Sequence, residues 1–142
     1  MSTVLVVQAD SALNQDWCAA IESVGHTVIS ARGVAQGILR LREGGIDVIL
    51  VDHWDSHSGL ADFVGEVQRL PEPPPFVLIS DSPRAPEISA RMGAAAFVPK
   101  PVTTDEIVEI ARRFSAIPVN PVFEDESTEP RVTRFGFRPS RT

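Results

Sequence analysis

The chain has 142 residues, a formal net charge of −6, 43% hydrophobic residues and one cysteine. That length suits one domain with an appendage, and the hydrophobic share is enough to build a core. The negative charge argues against a domain that lies on nucleic acid or an anionic membrane, and a lone Cys18 makes neither an internal disulfide nor a cysteine-rich zinc site.

Met1-Ser2-Thr3 leads at once into Val4-Leu5-Val6-Val7, an apolar run that reads as a buried strand. No basic segment or long apolar stretch precedes it, so neither a signal peptide nor a membrane span is expected, and a reducing, cytoplasmic setting fits. Asp10-Ser11 can cap a helix. Leu13, Trp17, Ile21 and Val24 follow at roughly helical spacing, and Gly25 is placed to end that helix. Thr27–Ala31 is the second strand. Val34, Ile38 and Leu41 mark the inner face of a second helix closed by Gly44-Gly45. Asp47-Val48-Ile49-Leu50-Val51-Asp52 then brackets four apolar residues with two aspartates, the pattern of a strand buried on both faces.

The loop from His53 to Gly59 enters a third helix bearing Leu60, Phe63, Val64, Val67 and Leu70 on one face. Pro71–Pro75 is a stiff link that suits neither helix nor central strand. Phe76–Ser80 is the fourth strand. Pro83–Met92 is a helix in which Pro86 fits only the first turn. Ala95–Val98 is the fifth strand, and Thr103 or Thr104 caps a last helix with Ile107, Ile110, Ala111 and Phe114 turned inward.

Strand and helix alternate five times. That order predicts an α/β fold, a doubly wound parallel sheet of the flavodoxin-like (βα)5 type with strand order 2-1-3-4-5, spanning residues 1–116. Gln8-Ala9-Asp10-Ser11-Ala12 after the first strand lacks the glycines of a nucleotide phosphate loop. Residues 117–142 differ in character: Pro-rich, then acidic at Glu124-Asp125-Glu126, then basic with Arg131, Arg134, Arg138 and Arg141 around Phe135 and Phe137. They read either as a flexible tail or as a docking segment, including a strand added to a sheet edge.

In such a fold ligands gather at the carboxyl ends of the strands. Asp52 and Ser80 stand there, and Lys100 follows the fifth strand. An isolated Asp can equally well serve as a turn residue. Considered together and in order, Asp52, Ser80 and the stretch Phe97-Val98-Pro99-Lys100-Pro101 resemble the receiver domain of two-component response regulators over about residues 3–115. The resemblance implies that Asp52 is the phosphoacceptor, that Ser80 and Lys100 contact the phosphoryl group, and that Ser80 and Phe97 form the switch pair. It also implies a histidine kinase or another signalling protein as partner, met on the face of helix 4, strand 5 and helix 5. A homodimer remains open, and neither nucleic acid nor membrane is expected as a partner. No output domain follows the receiver-like region in this sequence.

The sequence departs from that family at the metal site. The acidic pair that holds Mg²⁺ maps to Gln8 and Ala9, and only the next residue, Asp10, is acidic. Its role as a helix cap competes with a role as ligand. Asp52 and the backbone carbonyl of Trp54 complete the remaining metal set, while Ser56 replaces a proline of the family. With two carboxylates gone, Mg²⁺ is expected to bind weakly if at all. The chain therefore reads as an atypical receiver that acts by protein contact, with weak or no phosphorylation at Asp52, and as no enzyme beyond self-phosphorylation. The alternatives are an ordinary phosphorelay receiver and, from another class, a metal-dependent hydrolase built on Asp52, His53, Asp55 and His57.

Overall fold

A computed structural model describes residues 2–52, 59–115 and 133–134. Five strands, β1 (Thr3–Val7), β2 (Thr27–Ala31), β3 (Val48–Asp52), β4 (Phe76–Ser80) and β5 (Ala96–Pro99), alternate with five helices. The helices are α1 (Ser11–Ser23), α2 (Val34–Glu43), α3 (Leu60–Gln68), α4 (Ala85–Met92) and α5 (Thr104–Ser115). A two-residue strand, β6 (Thr133–Arg134), completes the sheet in the order β2-β1-β3-β4-β5-β6, with every pairing parallel. The (βα)5 core with order 2-1-3-4-5 is thus as expected. The sixth strand corrects the five-stranded count: residues of the C-terminal region supply an outer neighbour for β5.

Alternation along the strands sends side chains to two cores. Val4, Val6, Val48, Leu50, Val77 and Ile79 face Trp17 and Ile21 of α1 and Ile107, Ile110 and Ala111 of α5. Leu5, Val7, Ile49, Val51 and Leu78 face Leu41 of α2 and Leu60, Phe63, Val64 and Val67 of α3. All five residues of β3 and of β4 are buried, which explains why their sequences are continuous apolar runs. Gly37 lets α2 approach α3, since a Cβ there would stand 2.9 Å from the Phe63 ring.

The helix ends follow their sequences. Asp10 caps α1 by accepting from Leu13 N at 2.9 Å. Thr103 and Glu106 form a reciprocal box at the start of α5: Glu106 N donates to Thr103 Oγ1 at 3.1 Å, and Thr103 N donates to Glu106 Oε1 at 2.8 Å. Pro86 sits in the first turn of α4. Gly25 and Gly93 adopt φ of 102° and 79° just past α1 and α4, where a side chain would be strained. The inner face of α1 differs from expectation. Leu13 and Val24 are 39% and 52% exposed, and Asn14 is buried beside Trp17 and Ile21. No helix among the described residues is long and apolar enough to cross a membrane.

Candidate functional site

The sheet register builds the site. Val7 pairs with Val51, so the next step brings Gln8 alongside Asp52. Asp52 pairs with Ile79 on β4, and Ile79 with Val98 on β5. Lys100 lies two residues beyond Val98. Strand periodicity therefore points Gln8, Asp52 and Lys100 to one side of the sheet edge.

Asp52 is only 2% exposed, and two groups meet its carboxylate. Lys100 Nζ stands 2.7 Å from Oδ1, within ion-pair reach. The ammonium approaches off the hydrogen-bonding direction, so Oδ1 gains charge compensation without an aligned hydrogen bond. Gln8 Nε2 donates a short hydrogen bond to Oδ2. The amide is fixed in that sense from its other end, because Asp10 N donates to Gln8 Oε1 at 2.9 Å. A flipped amide would set oxygen against carboxylate and N–H against N–H, losing both bonds.

Behind Gln8 lies a residue that the sequence reading missed. Asn14 Nδ2 donates to the carbonyls of Gln8 at 3.0 Å and of Ala31 at 3.2 Å, tying the ends of β1 and β2 to α1. Its Oδ1 accepts from Ser30 Oγ at 2.8 Å and from Cys18 Sγ at 3.4 Å. The only signal was its place three residues before Trp17 and seven before Ile21, on the face that turns inward. Burial, and secondly the nearby Glu22 charge, raise the Cys18 thiol above its ordinary value of 9.0, while a hydrogen bond from Ser30 opposes them. The Ala9 carbonyl accepts from Arg32 through Nη2 at 3.0 Å and Nε at 3.2 Å.

Ser80 ends β4, with its Oγ buried and accepting from Ser82 N at 3.0 Å. Phe97 is buried, on the face of β5 opposite Ala96 and Val98. A cleft of about 340 Å³ is lined by Gln8, Ala9, Asp10, Leu13, Asp52 and Lys100. Trp54, Ser56 and the other residues of 53–58, including His53, Asp55 and His57 of the hydrolase reading, lie outside the described residues.

Mg²⁺ wants carboxylate oxygens and water in octahedral array. The donors facing this cleft fit it poorly. Where the resemblance calls for a carboxylate, Gln8 presents an N–H to Asp52. One oxygen of Asp10 is committed to the α1 cap. Both oxygens of Asp52 already face cationic or N–H partners. Among the described residues no group of three or more His, Cys, Asp or Glu side chains is placed to hold a metal ion.

No protein-family model matches the sequence, and no curated protein matches it significantly. Solved structures do match the fold. A response regulator receiver domain protein from Clostridium thermocellum aligns at 20% identity over 81% of this chain and 94% of that one, with a TM-score of 0.70. A CheY-like receiver domain protein from Methanospirillum hungatei aligns at 18% identity over 81% and 94%, with a TM-score of 0.72. The non-phosphorylated HemR receiver domain from Leptospira biflexa aligns at 19% identity over 87% and 100%, with a TM-score of 0.72. The chain has the fold of response-regulator receiver domains.

Proposed function

We propose that this chain is an atypical receiver that signals through protein contacts, with Mg²⁺-dependent phosphorylation of Asp52 weak or absent. The observation that carries this reading is the Gln8 amide hydrogen-bonded to Asp52, in the place where the resemblance requires a metal-binding carboxylate. Phosphoryl transfer to a carboxylate is governed by positioning and by neutralisation of the charge on the incoming group. Asp52 stands at a strand end and lines a cleft, although it is buried. Gln8, however, holds one of its two carboxylate oxygens by a hydrogen bond, which makes that oxygen a weaker nucleophile. Weak Mg²⁺ affinity follows from the loss of two carboxylates and from the amide that replaces one of them.

The partner in this reading is a histidine kinase or another signalling protein. It is met on the face made by α4, β5 and α5, with Phe97 and Ser80 as the elements whose arrangement the partner reads. The alternative, an ordinary switch in which Asp52 is fully phosphorylated, is favoured by the retained contact of Lys100 with Asp52 and by Ser80 on the neighbouring strand. Lys100 would then meet one phosphoryl oxygen and the Ser80 hydroxyl another. Incubation with acetyl phosphate and Mg²⁺, followed by intact-mass measurement, separates the two. Little or no adduct is expected. A stoichiometric single-phosphate adduct that disappears in Asp52→Asn would establish the ordinary switch instead.

A further inference from the structure

β5 closes the (βα)5 sheet on the side away from β2, and its outer side is an edge. Ala95 N donates to Phe76 O on the β4 side at 2.8 Å. Within the strand Pro99 has no N–H and Lys100 N donates to Ser80 O at 3.1 Å, and successive residues turn their backbone groups to opposite sides, so Ala96 and Val98 bond toward β4 while Phe97 directs its N–H and C=O outward. A row of such groups is a template for any extended chain. In this protein the chain itself occupies it: Thr133 pairs with Ala96 and Arg134 with Phe97, both parallel.

Two residues of strand are marginal by themselves. Charge and tethering add to them. The last twelve residues contain Arg131, Arg134, Arg138 and Arg141 and no acid, so all nineteen acidic side chains lie in the rest of the chain. α5, which follows β5 directly, opens with Asp105 and Glu106. Only residues 116–132 join α5 to β6, and a tether of that length gives an effective concentration on the order of millimolar. A competing segment in free solution must therefore bind the edge well below that range to displace it.

We infer that the outer edge of β5 is a strand-accepting site and that the segment at Thr133–Arg134 is its resident ligand, an intramolecular strand that closes the edge and exposes it when released. This pairing is independent of whether Asp52 ever takes a phosphoryl group. Because β5 belongs to the face assigned above to partners, release of β6 gates that face. The segment best suited to replace it is an extended peptide that binds by main-chain hydrogen bonds.

Amide exchange on the full-length chain tests this residue by residue. Thr133→Pro removes from the added strand the backbone N–H that faces β5. In that variant Phe97 should exchange about tenfold faster than in wild type, while Ala96 and Val98, bonded to β4, keep their rates. A synthetic peptide of residues 128–142, added at millimolar concentration, should slow Phe97 again. Equal rates at Phe97 in wild type and Thr133→Pro would overturn the inference. So would faster exchange at Ala96 and Val98 as well, which would make β6 a support of β5 rather than a releasable ligand. Protection at Phe97 that grows with chain concentration would assign the strand to a second copy and overturn the intramolecular site.

Discussion

Replacing Lys100 by Met removes the cation from a carboxylate that has almost no access to water. Asp52 is 2% exposed, whereas the Lys100 side chain is 24% exposed. The two halves of the pair should therefore differ in cost. Taking away one partner of a buried pair typically costs about 3–5 kcal/mol, because the other charge stays desolvated. Asp52 retains the Gln8 hydrogen bond, which places Lys100→Met near the lower end, about 3 kcal/mol. For a domain of this size that is a fall in Tm of roughly 9–15 °C. Asp52→Asn leaves a lysine whose ammonium can swing toward solvent, so its cost should stay within about 1 kcal/mol. Urea unfolding of wild type, both single variants and the double variant closes the cycle. Lys100→Met should be nearly free in the Asp52→Asn background, giving a coupling of about 3 kcal/mol. If Lys100→Met costs the same in both backgrounds, the 2.7 Å contact contributes nothing and the site is not organised around that pair.

Other perturbations have separate outcomes. Val51→Asp buries an unpaired charge in the middle of β3 and should leave the domain unfolded, with loss of the cooperative circular-dichroism melt. Asn14→Leu breaks the hydrogen bonds to the Gln8 and Ala31 carbonyls and should cost about 1–3 kcal/mol in urea unfolding. The Cys18 thiol is raised in the folded state, chiefly by burial, so the folded chain holds that proton more tightly than the unfolded chain does. Its contribution is complete below the ordinary value of 9.0 and is lost as pH rises beyond it. Cys18→Ala should accordingly show a shallower alkaline decline in stability than wild type, with no difference in pH dependence at neutrality.

Much of this fold could be read in the sequence because buried parallel strands are unbroken apolar runs. Val48–Val51 and Phe76–Ile79 carry no polar residue that would allow another reading, and Gly25, Gly44 and Gly93 mark helix ends where positive φ is needed. The inner face of α1 was misjudged because apolar spacing alone favours Leu13 over Asn14. The deciding factor is the pair of strand-end carbonyls that Asn14 satisfies, and no periodicity encodes them. Asp52 and Lys100 come together because their positions follow from where the strands end. Gln8 looked only like a missing carboxylate. Its amide in fact makes a bond of its own, which required the register of β1 on β3 to see. β6 escaped notice because Thr133-Arg134 is too short to carry a pattern, although a strand added to the sheet edge was one reading of that region.

The claim that the Gln8 amide stands where a metal-binding carboxylate would have to be is tested most directly by returning the acidic pair. Gln8→Asp with Ala9→Asp places two carboxylates beside Asp52. Without Mg²⁺ their mutual repulsion should lower Tm relative to wild type. If the variant binds Mg²⁺ with a Kd near about 1 mM, then about 10 mM Mg²⁺ adds roughly 1.4 kcal/mol to the folded state, a Tm rise of about 4–7 °C. Wild type should show no such rise in the same titration. A wild-type Tm that climbs with Mg²⁺ as steeply as that of the double variant would contradict the assignment of Gln8 and return Asp52 to an ordinary metal-dependent site.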